Sequence, residues 1–282
     1  MARDPGAVVR QNAEALKRDE EKKNIGERLL GRDAATLLAP DVTATRGDVA
    51  ATAEALFRAG ESVCGTLCGL TARVSFVTAL LEKTALSESD LFPVTEAGRP
   101  IRVLYARAGA ADRAFRLVSG VIPDLRVGYA GTNLDAAEGV EGGDADFLLL
   151  PYADASGNLV LSTGTIAETH GLFLVALLHI RVGEGLFYGL YGRAILPDKI
   201  ERVTLSLSVP SSDAATLAGI FAFARETRLI PDGATIFPAG RGAALSFTGE
   251  RRDCLAAAVY CLAFCPGCEL RGWRAAQPFA ER

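Results

Sequence analysis

Histidine is scarce in this sequence, which contains only His170 and His179 among its 282 residues. A metal site built from several histidines is therefore excluded, and a serine–histidine–aspartate triad has only these two candidates for its base. His179 lies within an apolar run and is interpreted as a buried core residue. The glycine-flanked serine of the α/β-hydrolases is missing as well. The sequence therefore gives no support for a serine hydrolase or for a histidine-based metalloenzyme.

Long apolar runs and a surplus of basic residues are missing too. No run reaches the roughly 18–20 residues that a membrane span needs, and the first residues lack the apolar core of a signal peptide. The formal net charge is −4, whereas a protein that binds duplex DNA usually shows a basic surplus. We therefore predict a cytoplasmic protein that binds neither membranes nor nucleic acid.

Cysteine is present six times, and cysteines in the cytoplasm are reduced unless they bind metal. Cys261, Cys265 and Cys268 have the C-x3-C-x2-C spacing at which thiolates can hold an iron–sulfur cluster. Free cysteine is also among the most buried residue types, so core or turn thiols are the favoured interpretation. No cofactor is predicted, and a metal at these three cysteines is kept as the alternative.

The first 85 residues are predicted to be helical. Asp48 is a plausible N-cap for a helix that ends near Ala59, with Gly60 separating it from the next one. Pro40 is expected to end any helix before it, including a charged helix predicted over Asn12–Leu30. A single long seam is predicted from apolar residues at alternating spacings of four and three, namely Val63, Leu67, Leu70, Val74, Val77 and Leu81. Residues 86–100 have the composition of a linker.

Residues 100–200 alternate short apolar strands with helices of about ten residues, which indicates a parallel α/β sheet. The predicted strands are Ile101–Tyr105, Leu125–Tyr129, Phe147–Leu150, Leu172–Ile180 and Leu186–Tyr191. Residues 201–282 change to a βαββαβ order, which is the ferredoxin-like arrangement. The fold class is thus a helical region, a single truncated α/β lobe and a ferredoxin-like unit.

The stretch Val103–Tyr152 carries a resemblance to a known family. It contains the run Gly143-Asp144-Ala145-Asp146, after which a strand finishes on Leu150-Pro151. Together with the order of the three regions, it resembles the bifunctional chorismate mutase/prephenate dehydratases, whose last domain is a regulatory ACT domain. The resemblance implies that residues 1–85 stand in the place of the chorismate mutase and residues 201–282 in that of the ACT domain.

Important residues of that family are changed in this sequence. The family places its proton donor in a Thr-Arg-Phe motif, and the matching positions read Gly185-Leu186-Phe187. A glycine cannot protonate a leaving hydroxyl, and a leucine cannot pair with a carboxylate. The second lobe, which the family inserts between Ile180 and Leu186, is reduced to five residues. We therefore predict that dehydratase activity is lost.

The resemblance also supplies candidate ligand-binding residues. Asp154, Ser156 and Gly157 follow the Leu-Pro pair where the family has Glu-Asn-Ser-x-x-Gly, although a plain turn is the favoured interpretation. Phe187 remains from the Thr-Arg-Phe motif. Leu217 and Pro238 remain where family members bind phenylalanine. For a chorismate mutase, cations must converge on a helical cavity, and Arg28, Arg32, Arg46 and Arg73 are the candidates.

Three functions are left open by the sequence. The first is a protein without dehydratase activity that binds a small carboxylate, an aromatic amino acid or a partner of aromatic amino-acid synthesis. The second is a divergent chorismate mutase that uses the helical region. The third is a structural or assembly protein without a small ligand. In each case a homodimer is expected, because the apolar seam and a ferredoxin-like sheet can both pair.

Overall fold

The computed structural model describes most of the chain. The described residues are 5–96, 99–122, 124–154, 156, 158–181, 186–196, 201–210, 214–236 and 242–281, with the side chains of residues 5–13, 235 and 236 excepted. They form eight α-helices and ten strands. Among these residues, no helix combines the length and the apolar composition required to cross a membrane.

The first two helices of this region are longer than predicted, and the third begins later than predicted. They are α1 (Pro5–Thr43), α2 (Val49–Val63) and α3 (Leu70–Thr84), followed by a 3-10 turn at Glu88–Asp90. Asp48 caps α2 as predicted, since its Oδ1 accepts a hydrogen bond of 3.0 Å from the backbone N–H of Ala51. The prediction that Pro40 ends a helix is wrong, because α1 continues through it. Packing of Ala39 and Val42 in the core compensates for the amide hydrogen that proline lacks.

Two further predictions for this region are corrected. Gly60 lies inside α2 rather than after it. A glycine is needed there because α8 packs closely against α2, and a Cβ on Gly60 would lie 1.9 Å from the backbone oxygen of Ala263. The apolar seam is not one helix. Val63 ends α2, Leu67 lies between the helices in residues 64–69, and only the remaining four residues of the seam belong to α3. Gly65 and Gly69 in that stretch disfavour a continuous helix.

The middle region alternates strands and helices, as predicted. Its elements are β1 (Ile101–Ala106), α4 (Gly109–Ser119), β2 (Leu125–Ala130), α5 (Asn133–Glu141), β3 (Phe147–Ala153), α6 (Leu161–Thr169), β4 (Phe173–Ile180) and β5 (Leu186–Gly192). Strands β1, β2 and β3 run parallel, while β5 lies antiparallel between β3 and β4. Helix α6 was not predicted, because its sequence is rich in Ser, Thr and Gly.

The last region has the predicted βαββαβ order. Its elements are β6 (Arg202–Val209), α7 (Ala214–Glu226), β7 (Ile230–Ile236), β8 (Ala243–Glu250), α8 (Arg251–Phe264) and β9 (Glu269–Ala275), with a short β10 (Phe279–Ala280) beyond them. The strands lie antiparallel in the order β9-β6-β8-β7. In β6 the residues Val203, Leu205 and Leu207 are buried, and so is Thr204. Strand β7 begins at Ile230, four residues after α7 ends at Glu226.

The α/β and βαββαβ regions share one sheet. Strand β4 pairs in parallel with β9, where Leu174 is the partner of Gly272, and the full order is β2-β1-β3-β5-β4-β9-β6-β8-β7. Strand β10 continues beside β4, with Phe279 opposite Leu178. The division into domains at 1–85, 100–200 and 201–282 stays a prediction, but the second boundary falls inside a continuous sheet.

Three aromatic residues join the three regions. The ring of Phe92 lies 5.6 Å from that of Phe173 and 5.7 Å from that of Trp273. Phe92 belongs to the segment predicted as a linker, Phe173 begins β4, and Trp273 lies in β9. This aromatic junction shows why residues 86–100 are not a simple linker, since Phe92 is completely buried. The segment is also tied down by the backbone, because the N–H of Ile195 donates to the oxygen of Pro93 at 2.7 Å.

Candidate functional site

The carboxyl ends of β1, β2, β3 and β4 lie at one edge of the sheet, because these four strands point in the same direction. In open α/β sheets, ligands bind in the crevice outside this edge. Helix α4 starts at the same edge, directly after β1. Side chains near this edge from α4, from the residues that follow β4 and from the residues that follow β10 are therefore candidates for a binding site.

An open groove of about 560 Å³ lies there, lined by Arg113, Arg116, Leu117, Arg181 and Glu281. We call it the arginine groove. Arg113, Arg116 and Leu117 share one side of α4, because residues three and four positions apart are neighbours on a helix. The buried residues Ala111, Ala114 and Val118 hold the other side of α4 against the sheet. The groove thus brings together three guanidinium groups and one carboxylate.

Glu281 fills part of this groove with its carboxylate. Nε of Arg113 donates to its Oε1 at 2.9 Å, and Nη2 of Arg113 donates to its Oε2 at 2.7 Å. The backbone N–H of Arg181 also donates to Oε2, at 2.9 Å. The hydrogen bonds from Arg113 lower the pKa of Glu281, and the bond from Arg181 acts in the same direction. The groove is therefore formed to hold an ionised carboxylate in two-point contact.

A cluster of aromatic and charged residues lies farther along the same edge. The hydroxyl of Tyr105 donates to Oδ1 of Asp112 at 2.8 Å, and the guanidinium of Arg107 lies 5.0 Å above the ring of Tyr129. Burial raises the pKa of Tyr105 above its ordinary value, and the bond to Asp112 adds to the effect. Tyr105 therefore stays protonated at neutral pH, and it ties β1 to the start of α4.

The predicted ligands Asp154 and Ser156 lie in the loop after β3. Oδ1 of Asp154 accepts hydrogen bonds from the backbone N–H groups of Ser156 and Asn158, both at 2.9 Å, and its Oδ2 accepts from Nδ2 of Asn158 at 2.9 Å. These contacts use the carboxylate to shape the turn, which agrees with the turn interpretation. Gly157 lies outside the described residues.

Phe187, the third residue of the altered motif, lies near the start of β5. Its ring stacks on that of His179, with the two centroids 4.7 Å apart. His179 is half-buried rather than fully buried, so the prediction of a core residue holds only in part. Leu186 packs partly against the apolar core, and Gly185 lies outside the described residues. Leu217 packs in α7 against the main core, and Pro238 lies outside the described residues.

The four arginines proposed for a mutase have separate surroundings. Arg28 and Arg32 are exposed on α1, and Arg46 reaches Oδ1 of Asp90 at 3.5 Å. Nε of Arg73 donates to the backbone oxygen of Leu67 at 2.9 Å. Arg46 and Arg73 thus bind different groups, while Arg28 and Arg32 face solvent. A mutase site in the helical region therefore stays a prediction.

The cysteines divide into two classes. Cys64 and Cys68 are exposed, whereas Cys254, Cys261, Cys265 and Cys268 are buried. Hydrogen bonds with Cys265 and Cys268, together with burial, raise the pKa of Cys261 well above its ordinary value. Over the described residues, no group of three or more His, Cys, Asp or Glu side chains is arranged to hold a metal ion. The three thiols of the C-x3-C-x2-C run thus lie close enough to interact with one another.

The residues of the arginine groove were not predicted from the sequence. A weak signal was present for two of them, because Arg113 and Arg116 stand three residues apart on a helix that follows the first strand. Arg181 follows an apolar strand, and Glu281 is 100 residues away from it. Only the pairing of β10 with β4 brings these two together.

Comparison with known proteins gives similarities in structure alone. No family model and no curated protein matches the sequence. Prephenate dehydratase from Streptococcus mutans aligns with 64% of this chain and 100% of its own, at 13% identity and a TM-score of 0.49. The L-Phe complex of prephenate dehydratase from Arthrobacter aurescens aligns with 63% of this chain and 92% of its own, at 12% identity and a TM-score of 0.46.

GqqA, described as a novel type of quorum quenching acylase, aligns with 64% of this chain and 98% of its own, at 15% identity and a TM-score of 0.46. The TM-scores of these alignments are all under 0.5, so they indicate only a partial similarity in structure. Similarity at this level carries no statement about shared chemistry, which has to be argued from the groove itself.

Proposed function

We propose that this protein binds a small carboxylate in the arginine groove and does not dehydrate prephenate. The observation that carries the proposal is the two-point contact of Arg113 with the carboxylate of Glu281. A groove that holds a carboxylate of its own chain has the donors that a carboxylate ligand needs. Arg116 and Arg181 line the same groove, so the charge there favours a ligand with more than one negative group.

The second part of the proposal rests on the residues that are absent from the altered motif. Loss of water and carbon dioxide from prephenate needs a proton donor for the leaving hydroxyl. Leu186 cannot donate a proton, and the aromatic ring of Phe187 is stacked on His179. Tyr105 is committed to Asp112 and its pKa is raised by burial, so it is a poor acid for this step.

Calorimetric titration with succinate and with prephenate tests the proposal. We expect saturable binding of both, and a loss of affinity of at least about tenfold in Arg113→Gln, which removes about 1.4 kcal/mol of binding free energy. The matched control is Arg58→Gln, because Arg58 also pairs with a glutamate, Glu54 at 2.9 Å, but on α2. Equal affinity in Arg113→Gln and wild type would refute the groove as the site. Formation of phenylpyruvate from prephenate would refute the loss of activity.

We further propose that residues 201–282 form an ACT-type unit and that the protein is a homodimer. The antiparallel order β9-β6-β8-β7 with two intervening helices supports the first proposal. A thermal-shift titration with phenylalanine tests whether the unit senses an aromatic amino acid, since a ligand of the native state raises the unfolding temperature. Sedimentation equilibrium tests the dimer, and a mass of one chain, 29.7 kDa, would refute it.

A further inference from the structure

The segment that carries Glu281 is an extension of the last strand of the βαββαβ unit. After β9, the backbone N–H of Ala276 donates to the oxygen of Arg202 at 3.1 Å. The chain then reaches β4, where Phe279 pairs with Leu178 and Ala280 with His179. The backbone N–H of Glu281 donates to the oxygen of His179 at 3.3 Å. Phe279 packs only partly against the apolar core. We call residues 276–281 the strand extension, whose regular pairing with β4 is limited to Phe279 and Ala280.

We propose that Glu281 is an internal competitor, which occupies the carboxylate position of the arginine groove until a dicarboxylate ligand displaces it. This inference rests on the proposed function of the groove. One carboxylate of the ligand would take the place of Glu281 on Arg113 and on the N–H of Arg181. The second would be drawn towards Arg116 and the guanidinium of Arg181. A monocarboxylate would gain only the contacts that Glu281 already makes.

The strand extension makes displacement reversible. The side chain of Glu281 is 20% exposed and that of Arg113 is 37% exposed, so water can reach the pair as it opens. Because water can hydrate both partners as they separate, opening this pair costs less than opening a fully buried one, which favours exchange with a ligand. When a binding site is open in only a fraction of the molecules, the apparent dissociation constant rises by the inverse of that fraction. A groove open in about one molecule in ten would therefore bind about tenfold more weakly than an unblocked one.

Displacement would also connect the groove to the βαββαβ unit. The strand extension is continuous with β9, which pairs with both β4 and β6. A ligand that expels Glu281 would release β10 from β4 while β9 stays in the sheet. A displacement of β9 would in turn change how well Glu281 reaches the arginine groove. The pairing of β9 with both β4 and β6 thus couples the groove to the βαββαβ unit.

The first test compares succinate binding to wild type and to Glu281→Gln by calorimetry. Glutamine keeps the size of the side chain but removes its charge, so we expect binding about tenfold tighter than in wild type. Glu269→Gln is the matched control, because Glu269 lies on β9 and pairs with Arg271 away from the groove. Equal or weaker binding in Glu281→Gln would overturn the competitor, while Arg113-dependent binding in wild type would leave the proposed function standing. Absence of binding in both proteins would overturn the competitor and the proposed function together.

The second test uses the wild-type protein, so it does not depend on how a variant folds. Hydrogen exchange of a peptide covering the strand extension is measured with and without saturating succinate. We expect faster exchange at residues 279–281 with succinate, because β10 would leave β4, and no change in α8. Unchanged or slower exchange at saturation would overturn the proposal. Acetate at the same ionic strength should have a much smaller effect.

Discussion

Two arginine–carboxylate pairs of this protein have very different surroundings. In the groove, Arg113 is 37% exposed and meets Glu281 at 2.7 Å. In the βαββαβ unit, Arg274 is 6% exposed and spans from β9 to Asp232 of β7, at 2.9 Å. Burial lowers the pKa of Arg274, and Asp232 opposes that change. Arg113 and Glu281 therefore form a pair that water can reach, whereas Arg274 is a buried cation that depends on Asp232.

The neighbours of each pair strengthen this contrast. Arg274 pairs in register with Thr204, whose hydroxyl lies 2.6 Å from that of Thr248. The Nη1 of Arg274 donates to the oxygen of Ala275 at 3.0 Å, while its Nε has no hydrogen-bond partner among the described residues. Each of the hydrogen bonds that Arg274 makes therefore helps to offset the cost of burying its charge. In the groove, Nε and Nη2 of Arg113 bind Glu281, and Arg116 and Arg181 line the same space.

The largest effect is expected at the aromatic junction, on the stable side of the comparison. Trp273→Ala should lower the free energy of unfolding by about 3–5 kcal/mol, because it empties a buried site beside Phe92. Since the junction joins all three regions, unfolding in urea followed by circular dichroism should remain one transition. Leu161→Ala is the control, because Leu161 is 81% exposed and such a change should cost less than about 0.5 kcal/mol. Two transitions, one at the wild-type midpoint, would show that the regions are independent.

A smaller effect should separate the two partners of the buried pair. Asp232→Asn leaves the buried charge of Arg274 without its counter-ion and should cost about 2–3 kcal/mol. Arg274→Met leaves Asp232, which is 43% exposed and can be hydrated, and should cost about 1 kcal/mol or less. Urea midpoints at constant slope measure both. The reverse ranking would mean that packing, rather than charge, holds this region together.

The groove pair should behave in the opposite way. Arg113→Gln should lower the urea midpoint less than Asp232→Asn does, because the groove pair is partly exposed, while the affinity for succinate falls. Arg58→Gln should leave both the urea midpoint and the affinity unchanged. A drop in stability as large as that of Asp232→Asn would place Arg113 among the residues that hold the fold, and the contrast between the two pairs would fail.

The smallest effect concerns pH. The pKa of Glu281 is lowered from its ordinary value of 4.5 by Arg113. A lowered pKa means that the contribution of the ionised group is fully present above 4.5 and is lost as the pH falls through the lowered value. Protection of the strand extension against hydrogen exchange should therefore be constant from pH 5 to pH 7 and fall only in stronger acid. Loss of protection near pH 6 would point to a group other than Glu281.

Local patterns explain which parts of the fold could be predicted. The cap at Asp48 depends on residues within a few positions of each other, and the structure confirms it. Helix α6 was missed because Ser, Thr and Gly rarely favour helix, and its stability comes from tertiary contacts such as the bond of the Thr163 hydroxyl to the oxygen of Pro151, at 2.6 Å. The prediction at Pro40 was wrong for the same reason, since packing of α1 outweighed the tendency of proline to end a helix.

The candidate site shows where such prediction ends. Asp154 and Ser156 were found through a family motif, yet their contacts serve a turn. The groove depends on a pair of arginines on α4, one residue after β4 and one after β10, and no local pattern joins them. Only the pairing of β10 with β4 brings Glu281 to Arg113. Sites assembled from distant segments require the register of the sheet to be known.

The position of β9 has a consequence for the order in which the chain is made. Strand β4 ends at Ile180, but its second neighbour begins only at Glu269. At about 5–20 residues per second, a ribosome needs several seconds to deliver that neighbour. Until then one edge of β4, an almost wholly apolar strand, has unpaired amide and carbonyl groups. Nascent chains should therefore be most vulnerable to mispairing, and most dependent on chaperones, in that interval.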